Sequence, residues 1–294
     1  MTNTKFIAEI GSNGNSDIER IKKLIDSAYE LGFYGIKFQA FKADTLYKDG
    51  KNKEILKDRE FDLTLLPLIS SYCKRIGLKI GITPFYLEGV DQVEPYIDFY
   101  KISSFDILRK DLIMACLSKK KPVYISCGLA EDQNISDIIK ICNELRIEEE
   151  VCFQHCVSKY PTKIKDSCVS RIFEIDDLIS KDLFSGMKMI GSEVKFSDDK
   201  NFSSVFMNVG YSDHSVSPEV VGQAINNGAE IIELHFDLDD RKGAETQYNH
   251  VWTESDCINL FCYLDQLEMI NDGEFELTKD DLVLRADPVT GMRD

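Results

Sequence analysis

Positive charge is scarce in this chain. Its 35 lysines and arginines stand against 51 aspartates and glutamates, a formal net charge of −16. Nucleic acid and anionic membrane surfaces call for a cationic face, so neither is expected as a partner. Long apolar runs are lacking too. No stretch reaches the ~20 residues that span a bilayer, and the N-terminus carries no apolar leader segment. These absences point to a cytoplasmic protein. The nine cysteines, at 73, 116, 127, 142, 152, 156, 168, 257 and 262, include no CxxC and no zinc-ribbon spacing. Most sit in apolar runs such as Met114-Ala115-Cys116-Leu117, which suits reduced thiols packed as small hydrophobes. Low-complexity linkers are absent, so the chain reads as a single domain over 1–294.

What is present is ordinary globular material, 43% hydrophobic and 29% charged, enough for a large core without staples. Short β-rich runs alternate with amphipathic stretches. Strands are expected at about 6–8, 35–38, 78–82, 98–102, 122–126, 151–155, 205–209 and 230–235. Between them fall helical patterns at about 61–76, 86–95, 110–119, 133–145, 165–180 and 216–228, with a last one at 254–271. The first helix shows the logic: Asp17 caps it, Ile18, Ile21, Leu24, Ile25 and Ala28 share one face, and Gly32 ends it. Eight strand–helix repeats imply parallel pairing through right-handed crossovers and close most simply into an α/β (β/α)8 TIM barrel. An open doubly wound sheet is the alternative. Two polar stretches break the beat: 42–58, expected as a loop over the barrel mouth, and 186–204, an insertion before the seventh strand. The tail at 284–293 has turn chemistry.

In a barrel, chemistry gathers where strands end. Polar residues stand there repeatedly: Glu9, Lys37, Thr83, Lys101 with Ser104, Ser126, then His155 with Ser158 and Tyr160, Ser212-Asp213-His214, and His235. Lys37 and Lys101 lie in apolar strands. Each either turns out to solvent or joins a local cationic pocket for a phosphate or carboxylate, with Ser104 and Ser126 as hydroxyl donors. The four histidines are at 155, 214, 235 and 250. His214 and His235 could ligate one divalent ion, although His235 could equally be a hydrogen-bonded core residue. Acidic candidates are Glu9, Asp106, Asp213, Glu233, Asp237 and Glu245. Glu9 either serves proton transfer from an apolar site or forms a structural ion pair with a barrel lysine.

The strings FIAEIGSNGN (6–15), GIKFQAF (35–41), ITPF (82–85), KISSFD (101–106), PVYISCGLA (122–130), HCVSKYPT (155–162), GYSDHS (210–215), ELHFDLD (233–239) and RADPVTGMR (285–293) occur in this order. Together they resemble the N-acetylneuraminate (sialic acid) synthase family, from residue 6 to the end of the chain. The resemblance implies a barrel that binds phosphoenolpyruvate deep in its mouth beside a divalent metal, Mn²⁺ first, with Mg²⁺ or Co²⁺ as alternatives. It implies Lys37, Gln39, Thr83, Lys101, Ser104, Ser126, Ser158 and Ser212 as substrate-binding residues and His214 and His235 as metal ligands. Glu9 would be the acid/base or electrostatic group, Asp106 would touch the aldose acceptor, and Tyr160 would line the same pocket. The implied reaction joins phosphoenolpyruvate to an aldehyde sugar such as N-acetylmannosamine, giving a 2-keto-3-deoxy acid and phosphate.

The sequence also departs from the family pattern. Asn13-Gly14-Asn15-Ser16 replaces Asn-His-Asn-Gly, Leu234 replaces a lysine, and Ser158 replaces an asparagine. Tyr248-Asn249-His250 replaces the Gly-Pro-Asp-His loop, leaving Glu245 as a candidate for the carboxylate near the metal. A C-terminal antifreeze-like domain is not expected here, and a homodimer is left open. The changes fall mainly on the acceptor side. They keep two alternatives in view: a metal-dependent aldolase or lyase on the same barrel, and a non-catalytic sugar-phosphate-binding barrel.

Overall fold

The expected strand–helix alternation is borne out along the chain. In the computed structural model, which describes residues 4–185, 187–190, 193–196 and 206–271, the apolar runs form β1 (Lys5–Glu9), β2 (Gly35–Ala40), β3 (Lys79–Pro84), β4 (Phe99–Ile102), β5 (Val123–Ser126) and β6 (Val151–Cys156). Two further barrel strands follow, β9 (Met207–Asp213) and β10 (Ile231–His235). Between them lies a hairpin, β7 (Met187–Ile190) and β8 (Glu193–Phe196). The barrel runs β1-β10-β9-β6-β5-β4-β3-β2 and closes, because β1 pairs in parallel with both β2 and β10. Closure excludes the open-sheet alternative.

The helices α1 (Ile18–Glu30), α4 (Leu66–Ile76), α5 (Leu87–Val93), α6 (Lys110–Leu117), α7 (Asp132–Leu145), α8 (Arg171–Ser185), α9 (Pro218–Asn226) and α10 (Glu254–Asn271) follow the strands. In α1 the Asp17 carboxylate accepts from the Glu19 and Arg20 backbone N–H groups, and Ile21, Leu24, Ile25 and Ala28 are buried against the sheet. Seven of the nine cysteines are buried, with Cys168 and Cys262 exposed. Among the described residues no helix is long and apolar enough to cross a membrane.

Two expectations need correction. The stretch 42–58 is not a plain loop: it holds two short helices, α2 (Ala43–Leu46) and α3 (Lys51–Lys57). Neither carries a long apolar stripe; the Glu60 carboxylate accepts from the Ala43 N–H at 2.7 Å and so fixes the start of α2 from a distance. The insertion at 186–204 contains the antiparallel β7–β8 hairpin, outside the barrel. Its remaining residues, and the tail motif at 285–293, lie outside the described residues.

Successive side chains of a strand point to opposite faces. Ile7, Phe99, Tyr124, Cys152 and Ile231 turn inward and fill one end of the barrel as a separate buried cluster. Gly81 makes room for this plug, since a Cβ there would collide with the Phe99 ring. Two residues further along the same strands, the inward positions change from apolar to polar.

Candidate active site

That polar level begins with ion pairs. The Lys37 ammonium contacts the Glu9 carboxylate, donates to Thr83 Oγ1 at 2.9 Å, and lies 3.7 Å from Glu233 Oε1. Lys101 donates to Glu233 Oε2 at 3.0 Å and to the side-chain oxygen of Gln154. Ser212 Oγ donates to Glu233 Oε1 at 3.2 Å. All these side chains are buried. Burial lowers the Lys37 ammonium to about 8, opposed by the Glu233 carboxylate. Burial works to raise Glu233, but the Lys101 and Lys37 ammoniums outweigh it and hold that carboxylate below its usual range.

Above this level opens a cavity of about 530 Å³ at the carboxyl ends of the strands. Of the residues expected from sequence, Lys37, Gln39, Thr83, Lys101, Ser104, Ser126, Ser212, Asp106, Tyr160, His214 and His235 line it. Two expected residues do not. Glu9 is fully buried and forms the ion pair with Lys37 that was one of the two roles open to it. The Ser158 hydroxyl is buried beside Gly128 without a hydrogen-bond partner, and Ser158 is not among the lining residues. Ser104 Oγ accepts from the Gly128 N–H at 3.2 Å and sits 2.9 Å from Cys156 Sγ.

The histidines gather on one side. Rings of His214 and His235 have centroids 5.2 Å apart, and Tyr160 packs on His214 at 4.3 Å. His214 Nδ1 lies 2.8 Å from the Val157 carbonyl oxygen, which can only accept, so this nitrogen carries the proton. His235 Nδ1 lies 2.7 Å from Glu245 Oε2. Each cavity-lining ring is thereby oriented through Nδ1, leaving Nε2 as the free donor atom, as in metal sites with carboxylate- or carbonyl-anchored histidines. Burial, with His235 nearby, lowers His214 to about 3, so the imidazole is neutral and competent as a ligand at pH 7. Behind them, His235, Glu245 and His250 bring one donor atom each within 4.8 Å of one another. His250 Nε2 is 3.8 Å from Glu245 Oε2, and His250 Nδ1 is buried without a hydrogen-bond partner. This donor set suits a divalent ion, and Glu245, not the exposed Asn249, is the carboxylate beside it. Asn13 fixes Glu245: its amide oxygen accepts from the Glu245 N–H at 2.8 Å, while its amide nitrogen donates to the Phe236 carbonyl.

Other candidates fall to structural roles. Asp213 accepts from Trp252 Nε1 at 2.9 Å and from the Ser215 and Val216 N–H groups, so it shapes the turn after β9. Asp237 ion-pairs with Arg20 and accepts from the Gly243 N–H. His155 points out of the barrel, stacked on Tyr211 with Nε2 at 2.8 Å from the Ser167 carbonyl. Sequence reasoning missed Gln154, an uncharged amide in an apolar strand, and Arg109, which lines the cavity from the segment after β4. The one available signal for Gln154 was its inward register two residues after Cys152.

Over 253 residues the chain is 28% identical to the N,N'-diacetyllegionaminic acid synthase of Legionella pneumophila, covering 80% of this chain and 64% of that one. It is 26% identical over 259 residues to the N-acetylneuraminate-9-phosphate synthase of Drosophila melanogaster, covering 82% of this chain and 60% of that one. The chain thus spans less than two thirds of the length of these curated relatives. A solved N-acetylneuraminic acid synthetase from Leptospira borgpetersenii superposes with a TM-score of 0.74 at 24% identity, covering 95% of this chain and 90% of that one, a likeness that speaks for the fold. The model of the NeuB family matches residues 24–183 and 194–268, and the chain belongs to that family.

Proposed function

We propose that this chain condenses phosphoenolpyruvate with an aldehyde sugar, N-acetylmannosamine or a related acylated amino sugar, to a nonulosonic 2-keto-3-deoxy acid with release of phosphate. The observation that carries this reading is the meeting of Lys37 and Lys101 with His214 and His235 around one cavity of an otherwise acidic protein. An entering phosphate or carboxylate competes with Glu9 and Glu233 for the two ammoniums, which those carboxylates hold in place beforehand. Thr83, Ser104, Ser126 and Ser212 add hydroxyl donors, and Gln39 an amide, from strand ends that need not reorganise. Asp106 and Tyr160 face the acceptor.

His214 and His235, with Glu245 and His250 beside His235, would hold a divalent ion, Mn²⁺ by the family resemblance, which would supply Lewis-acid polarisation of the aldehyde oxygen. The new bond joins C3 of phosphoenolpyruvate to the aldehyde carbon, water adds at C2, and the C2–O bond to phosphate breaks. One water proton ends on the new hydroxyl and the other leaves with hydrogen phosphate. The ammoniums and hydroxyls stabilise the charge that changes at C2 and on the phosphate.

Incubation with Mn²⁺, phosphoenolpyruvate and a panel of aldoses is expected to release inorganic phosphate with a matching sugar. No release with any aldose counts against the reading. A lyase would instead form pyruvate from a keto acid without phosphoenolpyruvate, and a binding-only barrel would bind phosphoenolpyruvate in a calorimeter without turnover.

A further inference from the structure

Parallel pairing between β9 and β10 reaches no further than Asp213 with Leu234. His214 and His235 are the next residues on each side, so no rung of this ladder fixes how far apart their rings stand. Trp252, the chain's single tryptophan, is buried across that gap. Its backbone N–H donates to the His235 carbonyl at 2.7 Å, and its own carbonyl accepts from the Asp237 N–H at 3.0 Å. Its indole Nε1–H donates to Asp213 Oδ2 at 2.9 Å. One residue therefore holds the backbone of one histidine and the neighbour of the other, and His250 stands two positions before it.

Asp213 passes the constraint on. It is fully buried, and besides the indole its carboxylate accepts from the Ser215 and Val216 N–H groups and from the Ser215 and Tyr211 hydroxyls. Val216 has a φ of 53°, a left-handed conformation that β-branched residues rarely adopt. Such strain persists only where surrounding contacts over-determine it, and here they converge on one carboxylate. His214 lies inside this turn, with its carbonyl accepting from the Thr162 N–H at 2.8 Å and its Nδ1 bonded to the Val157 carbonyl. A phenylalanine would fill most of the indole's volume but could not donate to Asp213.

Resting on the metal reading above, we propose that Trp252 is a positioning residue: through the indole–Asp213 hydrogen bond it sets the separation of the His214 and His235 rings, 5.2 Å between centroids, at which both can serve one divalent ion. Trp252 is not among the residues that line the cavity, so it acts through the two histidines.

The single tryptophan allows a clean test. Production on β-(3-benzothienyl)alanine replaces this side chain alone, with sulfur in place of the N–H and nearly the same shape. Mn²⁺ affinity, read by paramagnetic resonance, is expected to fall about 10–100-fold, as for loss of other outer partners of ligating histidines. The zero-field splitting of the ion should change with it, while cooperative unfolding and metal-free phosphoenolpyruvate binding are kept. Trp252→Phe should reproduce the loss. Unchanged affinity and an unchanged spectrum in either folded protein would overturn the proposal and leave Trp252 a packing residue. Loss of cooperative unfolding in both would overturn it too, since the indole would then serve the fold rather than the ring spacing. Wild-type protein that binds no divalent ion would remove the metal reading and the proposal with it. Phosphate release from phosphoenolpyruvate with the aldose panel is measured in parallel. An N–H-dependent Mn²⁺ site without release in the wild type would sink the synthase reading and leave the role of Trp252 standing.

Discussion

Ile7, Phe99, Tyr124, Cys152 and Ile231 fill the barrel at one level, and two residues further along the same five strands stand Glu9, Lys101, Ser126, Gln154 and Glu233. The strands, their register and their burial are shared; only the chemistry of the inward side chain differs. The apolar level gains from leaving water. The polar level loses hydration and recovers it through ion pairs, Lys37 with Glu9 and Lys101 with Glu233. Buried pairs of this kind seldom add net stability over apolar replacements. Their presence just under a cavity is what a ligand-binding floor requires, so one level serves folding and the next serves binding.

Breaking the polar level one-sidedly should have the largest effect. Glu233→Gln leaves two buried ammoniums without their shared carboxylate and is expected to cost roughly 3–5 kcal/mol in urea unfolding. The double change Lys101→Met with Glu233→Leu should regain most of that stability while losing phosphoenolpyruvate binding. A double variant as unstable as the single one would erase the contrast between levels. Phe99→Ala in the plug should cost about 3–5 kcal/mol as well, but with ligand affinity kept below the unfolding transition; a plug variant that folds yet no longer binds would contradict the division.

Smaller effects sharpen it. Glu245→Gln weakens the orientation of His235 and should lower Mn²⁺ affinity about 10–100-fold, read by paramagnetic resonance. An unchanged affinity would remove Glu245 from the ion's surroundings. Because the Lys37 ammonium is lowered to about 8, its charge is present below that pH and lost above it. Phosphoenolpyruvate affinity should therefore fall as pH rises from 7 to 9, by at most about tenfold per unit. A flat profile would show that this lysine does not face the anion.

The barrel was legible because period-2 runs and amphipathic stretches alternate; whether Lys37 and Lys101 turned to solvent or inward stayed open until the barrel closed around them. Short elements were not: α2 and α3 lack a stripe, and the hairpin at 187–196 lies in a polar stretch. Glu9 and Glu245 show why the site was read only in part. Whether Glu9 meets a substrate or Lys37, and whether Glu245 reaches His235 across ten residues of loop, depends on tertiary closure that local pattern does not encode. Ser158 departs from the family's asparagine, and its hydroxyl lies beside Gly128 rather than among the cavity-lining residues.

Calorimetric titration of phosphoenolpyruvate at pH 7 into the wild type and into the Lys37→Met/Lys101→Met variant bears most directly on the paired ammoniums. The expected result is one site per chain in the wild type and none in a variant that still unfolds cooperatively. Binding that survives loss of both lysines in a folded variant would contradict the account.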